Sequence, residues 1–197
     1  MNLCRMSCLV LLAAHVVMSS ANAADTEAPS LPPQSTASPI ADGGRPFVVK
    51  LPSGWEVSEL NAPRPNSGRE MAGGRLRALK KDGEGMAVIE LTYLSRTDAG
   101  QADIDSEFST FVSTVKTEYE SKGLKTSSTS PKKATLGALP SAEVEITVLG
   151  QNKELRQWFA MALGKKYVYA LSYTGEKQYY DRFEPEFSKC RASLCME

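Results

Sequence analysis

Residues 142–173 read AEVEITVLGQNKELRQWFAMALGKKYVYALSY, and their periodicity decides the fold class. Ala142, Val144, Ile146 and Val148 alternate with Glu143, Glu145 and Thr147, so one side of this segment is expected buried and the other wet. Leu149-Gly150-Gln151-Asn152 turns the chain. Leu155, Phe159, Met161 and Leu163 then alternate with Arg156, Trp158, Ala160 and Ala162, before Gly164-Lys165-Lys166 turns it once more into Tyr167–Tyr173. Three consecutive strands joined by short turns form an antiparallel meander.

Upstream of the meander, Asp103 to Lys122 reads as a helix. Ile104, Phe108, Phe111, Val112, Val115 and Tyr119 fall on one face at a period of 3.6 residues. Asp103, Asp105 and Glu107 suit its positive N-terminal end, Lys122 its negative end, and Gly123 a C′ position. Further upstream, Arg75–Lys80 and Met86–Ser95 are β-rich runs joined by Asp82-Gly83-Glu84-Gly85, a hairpin signal. Phe47–Leu51 reads as a strand ending at Pro52, Gly54–Val57 as the start of another extended piece, and Asn61–Gly74 as a long loop. Downstream, Phe183, Phe187, Cys190 and Leu194 repeat at helical spacing, with Pro185 placed in the first turn. The order of strands, helix, strands, helix predicts an α+β domain in which helices pack on an antiparallel sheet.

The N-terminus reads as an address. Arg5 supplies a positive start, Ser7–Met18 an apolar stretch interrupted by His15, and Ser19–Ala23 small residues ending in Ala-x-Ala. That is the pattern of a cleaved signal peptide over residues 1–23. An apolar run of about a dozen residues falls short of the ~20 that span a bilayer. No cysteine stands at the cut, which argues against a lipoprotein anchor. Residues 24–45 hold Pro29, Pro32, Pro33 and Pro39 and few large apolar side chains, so they are expected to form a flexible linker. A single domain over 46–197 follows.

Cleavage changes what the composition means. The whole chain has 197 residues, balanced charges (23 Lys+Arg, 23 Asp+Glu) and one histidine. Such a balance gives no bulk attraction for nucleic acid or an anionic membrane. Removing the 23-residue leader removes His15, and the exported chain then has no imidazole. Relays of the Ser-His-Asp or Cys-His type and histidine zinc sites are thereby excluded. No cofactor is implied, and no membrane span is expected after cleavage.

The ordered motifs resemble the PsbP/Mog-like fold, including secreted bacterial DcrB-type proteins. The resemblance rests on Phe47-x-x-x-Leu51-Pro52-x-Gly54-Trp55, the hairpin, the long helix, and Gly137-Ala138-Leu139-Pro140-Ser141-Ala142 entering the meander. It ends on Tyr167-x-Tyr169-x-Leu171-x-Tyr173-Thr174 and a helix after Tyr179-Tyr180. It implies a single α/β/α sandwich, usually without catalysis, in proteins that serve as binding or assembly factors. It carries over no shared set of functional residues.

Few residues suggest chemistry. Ser113-x-x-Lys116 and Ser130-x-x-Lys133 match one element of penicillin-recognising enzymes, but the Ser-Asp-Asn and Lys-Thr-Gly elements are missing. Glu143 and Glu145 lie on one strand face about 6–7 Å apart, near an acid/base spacing, yet alternation already explains them as a wet face. Asp103, Asp105 and Glu107 lack the glycine and late glutamate of a calcium loop. Arg69, Arg75, Arg77, Lys80 and Lys81 form the densest basic stretch; Arg75 and Arg77 share a strand face and could receive a carboxylate or phosphate. Adjacent Tyr179 and Tyr180 cannot both face inward on a helix, so one is a candidate partner contact. Cys190 and Cys195, the two cysteines left after cleavage, are expected to form a disulfide in an oxidising compartment, with the helix unwound by Leu194.

The sequence therefore predicts a non-catalytic binding or accessory protein of the periplasm or exterior, with an envelope protein as partner and Arg75, Arg77, Tyr179 and Tyr180 as contact candidates. A small-ligand or lipid carrier, marked by an enclosed apolar cavity, is one alternative. A hydrolase built on carboxylates or lysine is the other, marked by a pocket that gathers Glu143, Glu145 or Lys116.

Overall fold

The computed structural model describes residues 46–61, 73–96, 103–150 and 152–196. The expected signal peptide, the 24–45 linker and most of the Asn61–Gly74 loop lie outside the described residues. The elements run β1 (Phe47–Val48), β2 (Glu56–Asn61), β3 (Gly73–Asp82), β4 (Gly85–Ser95), α1 (Ile104–Ser121), β5 (Lys125–Ser128) and β6 (Lys132–Leu136). They continue with β7 (Leu139–Leu149), β8 (Glu154–Leu163), β9 (Tyr167–Glu176), α2 (Lys177–Ala192) and β10 (Cys195–Met196).

Every pairing is antiparallel. The main sheet runs β2-β3-β4-β9-β8-β7-β5, with β6 also on β7. β5 pairs with the last four residues of β7 and β6 with its first five, so two short strands share one long neighbour. The meander is the centre of this sheet: β7 pairs with β8 and β8 with β9. Asp82 and Gly85 close the predicted hairpin, with Gly83 at φ +61°, where a side chain would be strained. At Gly85, any Cβ would fall 1.7 Å from the Tyr179 ring, so that ring requires a glycine beneath it.

Alternation sends successive side chains of β8 to two different cores. Trp158, Ala160 and Ala162 join Ile89, Leu171, Tyr173, Phe183 and Phe187 beneath α2. Phe159 and Met161 join Val144, Ile146, Phe108, Phe111 and Tyr119 beneath α1. α1 packs on β5, β7 and β8; α2 packs on β4, β8 and β9. The coarse expectation of an α+β domain holds, and the sheet dominates it; among the described residues one helix packs on each face.

α1 begins and ends as its sequence predicts. Asp103 is the N-cap, its carboxylate accepting from the Asp105 N–H at 3.3 Å, and Gly123 takes the positive φ (+77°) beyond the end. α2 does not. It starts at Lys177, so Tyr179 and Tyr180 lie inside it and Pro185 sits in its interior rather than its first turn. An interior proline forfeits a backbone hydrogen bond at a cost of about 3 kcal/mol. Burial of Tyr180 and Phe183 before it and Phe187 and Cys190 after it offsets that loss. The helix ends at Ala192, before Leu194, as expected.

The expected Cys190–Cys195 bridge is not formed: both are free thiols. Cys190 points into the core beneath α2, where burial pushes its thiol up to about 12. Cys195 lies on β10 opposite Val48, and strand alternation turns it outward while Leu194 packs inward.

Candidate functional site

β3, β4, β9 and β8 each present a second side, away from α2. Cross-strand partners share a face, so the register sets two rows there. One row is Arg77, Glu90, Ser172 and Phe159; the next is Leu79, Val88, Thr174 and Gln157. Arg75 lies two residues along β3 from Arg77, opposite Thr92, and Ser58 of β2 lies opposite Arg77. The predicted sharing of a face by Arg75 and Arg77 is therefore observed.

The sequence reading missed what lies between them. Glu90 is 5% exposed and its carboxylate Oε2 is 3.4 Å from Arg75 Nη1. Burial raises the Glu90 pKa, against the opposing pull of Arg75 and Arg77. Burial likewise lowers the Arg77 pKa, with Glu90 pulling it back up and Arg75 adding repulsion. Arg77 Nε is buried, and no described residue accepts a hydrogen bond from it.

Beside this charged row lies a neutral polar one. Gln157 is 1% exposed; its Nε2 reaches Thr174 Oγ1 at 3.4 Å, and its Oε1 has no partner among the described residues. The buried Tyr119 hydroxyl of α1 is also unsatisfied among them. Burial lifts its pKa to about 12, with the nearby Gln157 amide opposing. Glu90 and Gln157 did leave a signal: each is a polar residue within an apolar strand run, Val88-Ile89-Glu90-Leu91 and Gln157-Trp158-Phe159.

The other candidates are dispersed. Tyr180 is buried, its ring 4.6 Å from that of Tyr173, and so is no surface contact. Tyr179 is half-buried over Gly85. Glu143 accepts from Arg191 Nη2 of α2 at 2.6 Å, and that guanidinium lies over the Trp158 ring. Lys116 and Ser113 lie instead on α1, in an open groove of about 370 Å³ with Pro131, across the sheet from Glu143. Among the described residues, the glutamates and the lysine thus lie on opposite sides of the sheet. Asp103 caps its helix, and Asp105 pairs with Lys133 at 3.3 Å. Lys80 donates to the Gly54 carbonyl, Lys81 pairs with Glu56, and Arg69 lies outside the described residues. The apolar void beneath α2, lined by Leu76, Leu91 and Leu194 among others, is about 10 Å³, the space of one water and far below that of a lipid.

Among the described residues no three His, Cys, Asp or Glu side chains are placed to hold a metal ion. None of the described helices is long and apolar enough to cross a membrane.

The chain belongs to the family described as a domain of unknown function, DUF4946, which matches residues 47–196. No curated protein matches it. Among solved structures it is similar to PA94 of Pseudomonas aeruginosa, a protein of unknown function, at 11% identity and a TM-score of 0.47, covering 72% of this chain and 97% of that one. It is also similar to LpqN of Mycobacterium tuberculosis, involved in cell envelope biogenesis, at 17% identity and a TM-score of 0.46, covering 83% of this chain and 90% of that one. Likenesses this distant assign neither activity nor partner. Kinship with PsbP/Mog-like and DcrB-type proteins stays a resemblance in the order of motifs.

Proposed function

We propose that the protein is exported to the periplasm or exterior and acts there as a non-catalytic binding or accessory protein. Its contact surface is the side of β2, β3 and β4 that carries Ser58, Arg75, Arg77 and Glu90. One observation carries this reading: Arg77, half-buried on that face, makes no hydrogen bond to any described residue. An Nε–H shielded from water without an acceptor is costly to the free protein, and rearrangement of the face on a bound partner would relieve that cost. The signal-like 1–23 segment and the absence of histidine beyond it support the same reading, as does the PsbP/Mog-like order of elements, which implies an α/β/α sandwich used for binding.

The test is site-specific crosslinking. Ser58 is exposed and shares the face with Arg77. A photoreactive amino acid at position 58 is expected to give one adduct of fixed mass in native envelope extract. The same label at exposed Lys189, on α2, is expected to give none. No adduct at position 58, together with no thermal shift from any small molecule, overturns the proposal.

A further inference from the structure

We infer that the open groove along α1 binds a sugar that carries an acidic group. This is a second surface, apart from the β2–β4 face, and it gives the protein a small-molecule ligand of its own.

The groove has a volume of about 370 Å³, within the size range of small-ligand sites, and opens to solvent between α1 and Pro131 of the β5–β6 connection. Of the described lysines, only Lys80 and Lys116 are half-buried. Lys80 donates to the Gly54 carbonyl, whereas Lys116, in the groove, makes no hydrogen bond or ion pair with any described residue. Its ordinary partner on a helix would be Glu120, four residues on. That carboxylate instead accepts from the Thr126 hydroxyl of β5 at 2.6 Å. The Lys116 charge is left to the groove.

The hydroxyls of α1 divide in the same way. Ser109, Thr110, Thr114 and Ser121 each donate to a carbonyl three or four residues back. Ser113 and Thr117, which flank Lys116 in the groove, donate to no described residue. An ammonium with two free hydroxyls beside it offers donors to an oxyanion and to the hydroxyls next to that oxyanion. Val112 and Pro131 add an apolar wall, which suits the C–H face of a sugar ring. A neutral sugar would leave the Lys116 charge unanswered, and a bare anion would leave the apolar wall uncovered. The ligand class is a sugar bearing a carboxylate or a phosphate.

The experiment records amide shifts of the full chain by NMR during titration with glucuronate, glucose 6-phosphate, glucose and acetate at matched ionic strength. Saturable movement of the Ser113, Lys116 and Thr117 amides by glucuronate or glucose 6-phosphate is expected, and the tighter of the two identifies the acidic group. Glucose and acetate should each bind at least about tenfold more weakly. Lys116→Gln is expected to weaken binding about tenfold with the rest of the spectrum unmoved. Lys189→Gln, at an exposed position of α2, should leave binding unchanged. Equal binding of glucose or of acetate overturns the inference. So does unchanged binding in Lys116→Gln, or no movement with either acidic sugar. Crosslinking at position 58 reads the other surface and is expected to be the same in Lys116→Gln.

Discussion

On its α2 side, strand β4 offers Ala87, Ile89 and Leu91 to a core in which Tyr173 stacks on Phe187 at 4.5 Å and donates its hydroxyl to the Tyr180 carbonyl at 2.8 Å. On its other side the same strand offers Val88, Glu90 and Thr92, and Glu90 is buried between arginines. The first side is filled by aromatic rings, and its polar tips at Tyr173 and Tyr169 both find backbone carbonyls. The second leaves Arg77 Nε, Gln157 Oε1 and the Tyr119 hydroxyl without partners among the described residues. Buried polar groups are normally satisfied. The α2 face leaves the Ser141 hydroxyl without a described partner, and the other face leaves a larger share, its charged groups among them, unsatisfied.

The comparison breaks most readily at Tyr173. Tyr173→Ala removes a fully buried ring from between Tyr180 and Phe187 and is expected to cost about 3–5 kcal/mol, read from the urea midpoint. A loss below about 1 kcal/mol would mean that the α2 side is not the stabilising one.

The next effect is a pH profile. Because the folded protein raises the Glu90 pKa, the native state binds more protons than the unfolded chain between the ordinary carboxyl value and the raised one. Glu90 therefore makes stability rise as pH falls through that window and lets it fall as pH rises through the folded pKa. Glu90→Gln should remove this component, so the wild type should gain unfolding free energy relative to the variant as pH falls through that window. Parallel profiles would show that burial does not govern this carboxyl.

The smallest effects sharpen the contrast. Tyr173→Phe strands a carbonyl that had a donor and should cost about 1 kcal/mol. Tyr119→Phe deletes a hydroxyl with no partner among the described residues and should change stability by less than about 0.5 kcal/mol in either direction. Equal losses from the two deletions would erase the difference between the faces.

Much of the scaffold was legible because it depends on local periodicity. The 142–173 alternation gave β7, β8 and β9 with their turns, and the Ile104–Tyr119 stripe with Asp103 gave α1 and its cap. β5 and β6 were not legible: Lys125–Ser128 and Lys132–Leu136 are short and polar, and they become strands by hydrogen bonding to β7. Pro185 misled because proline marks helix starts by propensity, whereas tertiary burial carried this helix back to Lys177. Half of the candidate site was visible, since Arg75 and Arg77 are two apart on a strand. Glu90 was not, because its meaning depends on which residue of β3 lies opposite it.

The sequence by itself determined the strands of the meander, the first helix and a chain without histidine after its leader-like segment, because spacing and composition are properties of the chain alone. Only the tertiary structure decided that Tyr180 is buried, that Cys190 and Cys195 face different environments, and that Glu90 lies between two arginines. Those facts depend on register across strands and on which side of the sheet each helix covers, and residues far apart in sequence set both.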